Sequence, residues 1–319
     1  MVIMKNMVKR IFKGVSIPLI SMVLLIVSIN DRIHRYVTPS KYITASELND
    51  SSKLSRWGID YSRFNYKDDN LTIYLSDTIG IQSSDNSLVK TEKIYKHIID
   101  KTIGRGGVPD QILDNKSPIE QLDLVNKGLS KIWCGNYGFI FPYFLQKQGI
   151  VSRYISIGPV EGNEIGEHIL TEVYIPELKK WILVDPTFNY LSFKNKEGLL
   201  LNLEEIKKQE LDSGNFTQWI NDSLVDKNRT DISTDWMELV KNEMPARYFS
   251  KDQLSKQFDS PTKFQRLIKY FLPTPNYFIN KKPDRIIDNY TIWLISDILL
   301  IAGLVFFGYK LIRSFTDSN

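Results

Sequence analysis

The sequence has one cysteine in 319 residues and only three histidines. A lone thiol forms no intrachain disulfide, so no disulfide framework holds the fold, and both reducing and oxidising compartments stay open. Formal net charge is only +4 with 24% charged residues, and no dense basic block lies outside the termini, which sets nucleic acid aside as a partner. Internal repeats and low-complexity tracts are missing. The turn Gly104-Arg105-Gly106-Gly107 lacks the glycine spacing of a phosphate cradle. With no metal or calcium motif visible either, neither a cofactor nor a metal is expected. At 42% hydrophobic the chain is long enough for one sizeable domain or two small ones.

Two long apolar runs are present. Residues 14–30 carry no charge and follow Lys5, Lys9, Arg10 and Lys13; the run is long enough to cross a bilayer, and Val27-Ser28-Ile29-Asn30 is a poor cleavage site. An uncleaved spanning helix is expected. Residues 290–309 form a second, interrupted only by Asp297, with Trp293 and flanking tyrosines at interfacial depths. The basic residues before the first span outnumber Arg32 and Arg35 after it. The tails 1–13 and 310–319 are therefore placed in the cytoplasm and the intervening part outside. Lys281, Lys282 and Arg285 before the second span argue weakly the other way. An acid within a span is a functional-site candidate, but Asp297 is read as protonated or water-reaching, packed against the first span.

Between the spans, residues 31–89 are polar and ambiguous: 42–53 could hold a short helix, and 71–75 alternate in the manner of a strand. Residues 91–103 read as an amphipathic helix on Ile94, Tyr95, Ile98 and Ile99. His97 falls near its polar face and His34 beside the membrane, both as solvated residues. Ser117-Pro118-Ile119-Glu120 opens another helix. Cys134 begins an apolar one that stops at Gly149, with Pro142 crowding the carbonyl of Gly138. Strands follow over 151–157, 168–175 and 181–184, the last two as a hairpin. Residues 193–289 read as mostly helical, with candidates over 234–242, 251–258 and 262–271.

A thiolate is the nucleophilic form of cysteine, and a helix N-terminus with a neighbouring imidazolium lowers a thiol pKa. Cys134 sits where such a helix starts. His168 opens a strand downstream, and Asp185 closes the next one. With a hairpin loop over 176–179, Ile175 pairs with Lys180, Leu170 opposes Asp185, and period-two alternation puts His168 and Asp185 on one face as diagonal neighbours. Taken singly, Cys134 is a buried small hydrophobe, His168 a core histidine and Asp185-Pro186 a turn. Their order along helix, strand and strand favours a nucleophile, a base and an orienting group.

The stretches "WCGNYGFIFPYFLQKQGIVSRYISI" and "EHILTEVYIPELKKWILVDPTFNY" resemble the core of the transglutaminase-like superfamily, relatives of papain-type thiol enzymes. The resemblance covers roughly residues 90–192. It implies an α+β, papain-like core with the nucleophile helix packed on a small antiparallel sheet, Cys134 as nucleophile, His168 as general base and acid, and Asp185 as the group orienting His168. The pattern departs at Pro142 and in the second oxyanion donor, for which Trp133 and Asn136 are candidates.

The function implied is a membrane-anchored thiol enzyme for acyl transfer or hydrolysis on an amide, with a peptide, protein or glycopeptide substrate at the outer face of the bilayer. The alternative is a non-catalytic binding or scaffold module of a membrane complex, for which the aromatic region with Trp236, Tyr248 and Tyr270 would serve as partner surface. Asn70, Asn215, Asn221, Asn228 and Asn289 are glycosylation acceptors if the chain enters a glycosylating pathway.

Overall fold

The computed structural model describes residues 40–64, 71–113, 116–158, 168–208, 214–240, 246–251, 254 and 277–279, together with scattered positions between 295 and 313. The chain divides into two compact units; one is Ser40–Ser260 with Asn276–Lys282, and it holds Cys134, His168 and Asp185. The expected span over 14–30, His34, Asp297 and the expected helix over 262–271 lie outside the described residues. Of 251–258 and 290–309 only isolated positions are described. Among the described residues no helix is long and apolar enough to cross a membrane.

The unit is mixed α+β. Strand β1 (Ser40–Tyr42) leads into a short helix α1 (Ala45–Leu48), whose N-cap Thr44 and Glu47 exchange bonds in a capping box. Residues 71–75, expected as a strand, are helical, with Leu71–Ile73 running into a wider turn over Tyr74–Thr78. Leu71 and Leu75 are buried while Ile73 is exposed. The apolar contacts therefore recur at four residues rather than two, a distinction five residues do not fix.

Helix α2 (Ser87–Thr102) starts where the Asn86 side chain accepts from the Val89 N–H at 2.9 Å. It buries Ile94, Tyr95, Ile98 and Ile99. His97 is not solvated: it is buried, its Nε2 lies 2.7 Å from the Tyr74 hydroxyl, and burial pulls its pKa down to about 4. The buried stripe is wider than the apolar letters suggest because Tyr74 covers the histidine. Helix α3 (Pro118–Asn126) begins with a Ser117–Glu120 capping box and Pro118 in its first turn. Helix α4 (Cys134–Lys147) carries Pro142 inside it and is followed by Gly149 at φ +71°.

Next come β2 (Ser152–Ile157), β3 (His168–Ile175), β4 (Lys180–Val184) and β5 (Tyr190–Lys194), then α5 (Leu203–Lys208), β6 (Asn215–Ile220), β7 (Ser223–Asn228), α6 (Thr234–Val240), β8 (Ala246–Phe249) and β9 (Tyr277–Ile279). One sheet has the order β1-β9-β8-β2-β3-β4, antiparallel except for the β1–β9 pair. The other is antiparallel, β5-β6-β7. The described part of 193–289, read from sequence as mostly helical, is thus rich in strands. The β6–β7 hairpin turns on Asn221 and Asp222, both at positive φ (49° and 61°), the twist that two-residue hairpins need.

The β3–β4 register is the expected one, Ile175 opposite Lys180 and Thr171 opposite Val184. Both faces of this hairpin are buried. Val173, Ile175, Ile182 and Val184 join the core made with α2, α3 and α4. Leu170, Tyr174, Trp181 and Leu183 join a second core with α5 and α6. Arg153 and Glu172 form a buried ion pair in the latter, Nε donating to Oε2 at 2.6 Å. Trp181 lies 4.2 Å from the guanidinium centre, Arg153 also donates to the Leu48 carbonyl at 2.6 Å, and Glu172 accepts from the Leu203 N–H at 2.6 Å. A buried charge pair is tolerated when its remaining donors and acceptors are met in this way.

Gly138 sets how closely α4 lies on the sheet. A Cβ there would come within 2.5 Å of Ile169 Cγ2 and 2.8 Å of Tyr154 Cε2, so the missing side chain serves the helix–sheet contact as well as the proline four residues on. Gly138→Ala should destabilise the fold by up to about 2 kcal/mol, an overpacking cost of about 1–3 kcal/mol exceeding a helix-propensity gain of about 1 kcal/mol. Urea unfolding checks this; an unchanged or higher midpoint contradicts the close packing.

Candidate functional site

Cys134 is the first residue of α4 and is half-buried. Its α4 neighbours pack on one face of the sheet, whereas His168 and Asp185 point to the other by strand alternation. They meet at the strand end, because His168 opens β3. The His168 Nε2 lies 2.7 Å from Asp185 Oδ2, which leaves Nδ1 for its hydrogen bond with the Cys134 thiol. The Ile169 backbone N–H also bonds the sulfur. Phe188 holds the imidazole edge-on, ring centres 5.3 Å apart at 85°.

Asp185 is fully buried and receives three donors. Oδ1 accepts from the Thr187 N–H at 3.1 Å, while Oδ2 accepts from His168 and from Trp236 Nε1 at 2.7 Å. The backbone is pinned too, with Asp185 and Tyr190 exchanging N–H···O bonds of 2.7 and 2.8 Å across the Pro186–Phe188 turn. Trp236 is buried, stacked on Phe193 at 4.7 Å and edge-on to Tyr190. The Ser233 hydroxyl accepts from its backbone N–H at 3.1 Å, fixing the start of α6.

Electrostatics favour a charged pair. Burial is the largest influence on Cys134 and raises its pKa, yet the His168 hydrogen bond, the Ile169 N–H and the His168 charge together bring it below the ordinary 9.0. For His168, burial again acts first and lowers the pKa, but the Asp185 charge and hydrogen bond, then Cys134, push it up to about 10. Each partner therefore favours the charged form of the other, the imidazolium the thiolate and the thiolate the imidazolium.

The structure brings Cys134, His168 and Asp185 together, with the other two sequence candidates, Trp133 and Asn136, at the same helix start. The Asn136 Oδ1 accepts from the Trp133 N–H at 3.4 Å, and its Nδ2 donates to Gln121 Oε1 at 3.2 Å. These bonds hold its amide at the start of α4, with one of the two Nδ2 hydrogens engaged by Gln121. Trp133 is 48% exposed at the helix N-cap. The alternative scaffold reading takes Trp236 as partner surface, whereas its indole is an interior donor to Asp185. Asp235-Trp236-Met237 carries no local signal for that, since the contact spans fifty-one positions of sequence. Among family models, curated proteins and solved structures, none matches this chain.

Trp236→Phe keeps the stacking ring and deletes one donor to a buried carboxylate. It should cost about 1.5–3 kcal/mol, the range for hydrogen bonds to charged groups, while Cys134 stays reactive because His168 still holds Asp185. Denaturant unfolding together with thiol alkylation checks this; a loss of reactivity with unchanged stability would contradict it.

Proposed function

We propose that the protein is a thiol enzyme that uses Cys134, His168 and Asp185 for acyl transfer or hydrolysis on an amide or peptide substrate, held at the outer face of a membrane by the apolar runs 14–30 and 290–309. The observation that carries the reading is one imidazole hydrogen-bonded on one side to the only thiol and on the other, at 2.7 Å, to a fully buried carboxylate. The order helix with Cys, strand with His, strand with Asp, on an α+β core, supports a transglutaminase-like relationship and a papain-like arrangement of that core.

In this reading the Cys134 thiolate attacks the amide carbonyl, forming the C–S bond. The imidazolium gives its Nδ1 proton to the departing amine as the C–N bond breaks, leaving an acyl-enzyme. Water or an amine then gives a proton to the neutral imidazole, attacks the thioester carbonyl and releases the thiolate. Asp185 holds the ring orientation and stabilises the imidazolium throughout. The positive end of the α4 dipole favours the thiolate at its first residue.

Iodoacetamide alkylation of Cys134 against pH tests the activated pair. The Cys134 alkylation midpoint should lie below its ordinary pKa of 9.0, and the imidazolium should persist until about pH 10, bounding the window in which the charged pair exists. Removing the ring by His168→Ala leaves burial opposed mainly by the Ile169 N–H, so the alkylation midpoint should rise. In Asp185→Ala, burial should draw the His168 pKa down and the thiol midpoint up with it. Identical midpoints in all three proteins would sink the reading.

The same shift sets a pH dependence of stability. A folded-state His168 pKa raised from 6.5 to about 10 contributes stability fully present below about pH 6.5 and lost as pH rises through about 10. Thermal melts should show that fall, diminished in His168→Ala; equal losses in both proteins would contradict it.

A further inference from the structure

The segment preceding Cys134 is bound to the turn after α2. The Gly107 N–H donates to the Ile132 carbonyl at 2.9 Å, the Ile132 N–H to the Arg105 carbonyl at 3.0 Å, and the Asp110 N–H to the Ser130 hydroxyl at 3.1 Å. Two glycines let the side chains cross: a Cβ on Gly107 would lie 2.7 Å from Lys131 Cδ, and one on Gly128 3.1 Å from an Arg105 guanidinium nitrogen. The outcome is a rim of two interlocked loops at the N-terminal end of the nucleophile helix.

Its composition is unusual for a surface in water. Ile103 is 50% exposed, Val108 73%, Leu129 61% and Trp133 48%. Around them, residues 101–110 and 126–134 contain Lys101, Arg105, Lys127 and Lys131 against a single acid, Asp110. Side chains this exposed stand out from a loop rather than line a groove, and exposed apolar clusters of this kind mark interaction surfaces. Aliphatic and tryptophan tips among lysine and arginine are what an interfacial segment presents to a bilayer: the tips enter the headgroup boundary, and the cations attract anionic lipid.

We infer that this rim is a membrane-contacting surface, and that its occupant is the anionic face of a lipid bilayer. Charge complementarity argues for lipid of that sign. The two long apolar runs elsewhere in the same chain argue for a bilayer within reach of the domain. Trp133 directly precedes Cys134, so contact puts the thiol at the lipid–water boundary and favours amide substrates presented there, such as the membrane-proximal segment of an anchored peptide. That consequence for substrate rests on the thiol-enzyme reading; the lipid contact does not.

Because Cys134 is the only cysteine, the full chain with Cys134→Ser accepts a single polarity-sensitive label at Val108→Cys, at Leu129→Cys, or at Leu199→Cys as an exposed control outside the rim. Each protein is placed in nanodiscs of phosphatidylcholine alone or with phosphatidylglycerol. The expected result is a blue-shifted emission at 108 and 129, larger with the anionic lipid, absent at 199, and lost on adding Lys127→Glu with Lys131→Glu. Labels at 108 and 129 that stay water-exposed in both lipids, as for a rim built for a soluble acidic partner, would overturn the inference. So would a shift equal in the two lipids, or one equally large at 199. Alkylation of unsubstituted Cys134 in the same discs separates the claims: a shifted label beside a thiol with an ordinary pH profile leaves the lipid contact standing and removes the catalytic reading.

Discussion

A carboxylate with no exposure to water has to be met by donors, because burying an unpaired charge costs more than a domain's whole margin of stability. Asp185 is that carboxylate. Its three donors come from the start of β3, the turn after β4 and the middle of α6, so meeting its charge fixes three separate parts of the chain around one point. The site's geometry is a consequence: His168 is held by one nitrogen, its other faces the thiol, and the hydrogen bond from the ring, with the Ile169 N–H and then the ring's charge, lowers the Cys134 pKa despite burial.

The same face of the sheet holds a second buried charge, and it is satisfied differently. Glu172 meets Arg153 across the β2–β3 pairing, and Trp57, Trp181 and Tyr248 surround the guanidinium. Here the partner is a guanidinium, and the pair locks register and layers. At Asp185 the partner is an imidazole, whose charge changes within an accessible pH range. Two neighbouring ion pairs thereby divide the work of holding the sheet and of poising a thiol.

Much of the site was legible in the sequence for reasons of period and local chemistry. Ser117-Pro118-Ile119-Glu120 announces a capped helix because its bonds close within four residues. The β3–β4 hairpin is short enough that the loop fixes the register, and the register fixes which side chains share a face. His168 and Asp185 could be placed together on that ground alone. Less was legible where the partner lies far along the chain. Residues 71–75 took the helical period because the core beneath them demanded it. His97 is buried because Tyr74 covers it. Strands β6 and β7 carry a polar face that reads as surface helix until their hydrogen-bonded partners are known.

By itself, then, the sequence determined the single thiol, its place at the head of a helix, the strands that carry His168 and Asp185, and their common face, since each depends on spacings of a few residues. Only the tertiary structure decided that α4 comes close enough at Gly138 to bring thiol and ring together, that Trp236 is an interior donor rather than a surface aromatic, and that Asn136 is bound to Gln121. Those are contacts between segments distant in sequence, and what sets them is the filling of a core and the satisfaction of buried polar groups, conditions that belong to the whole fold and not to any one stretch of it.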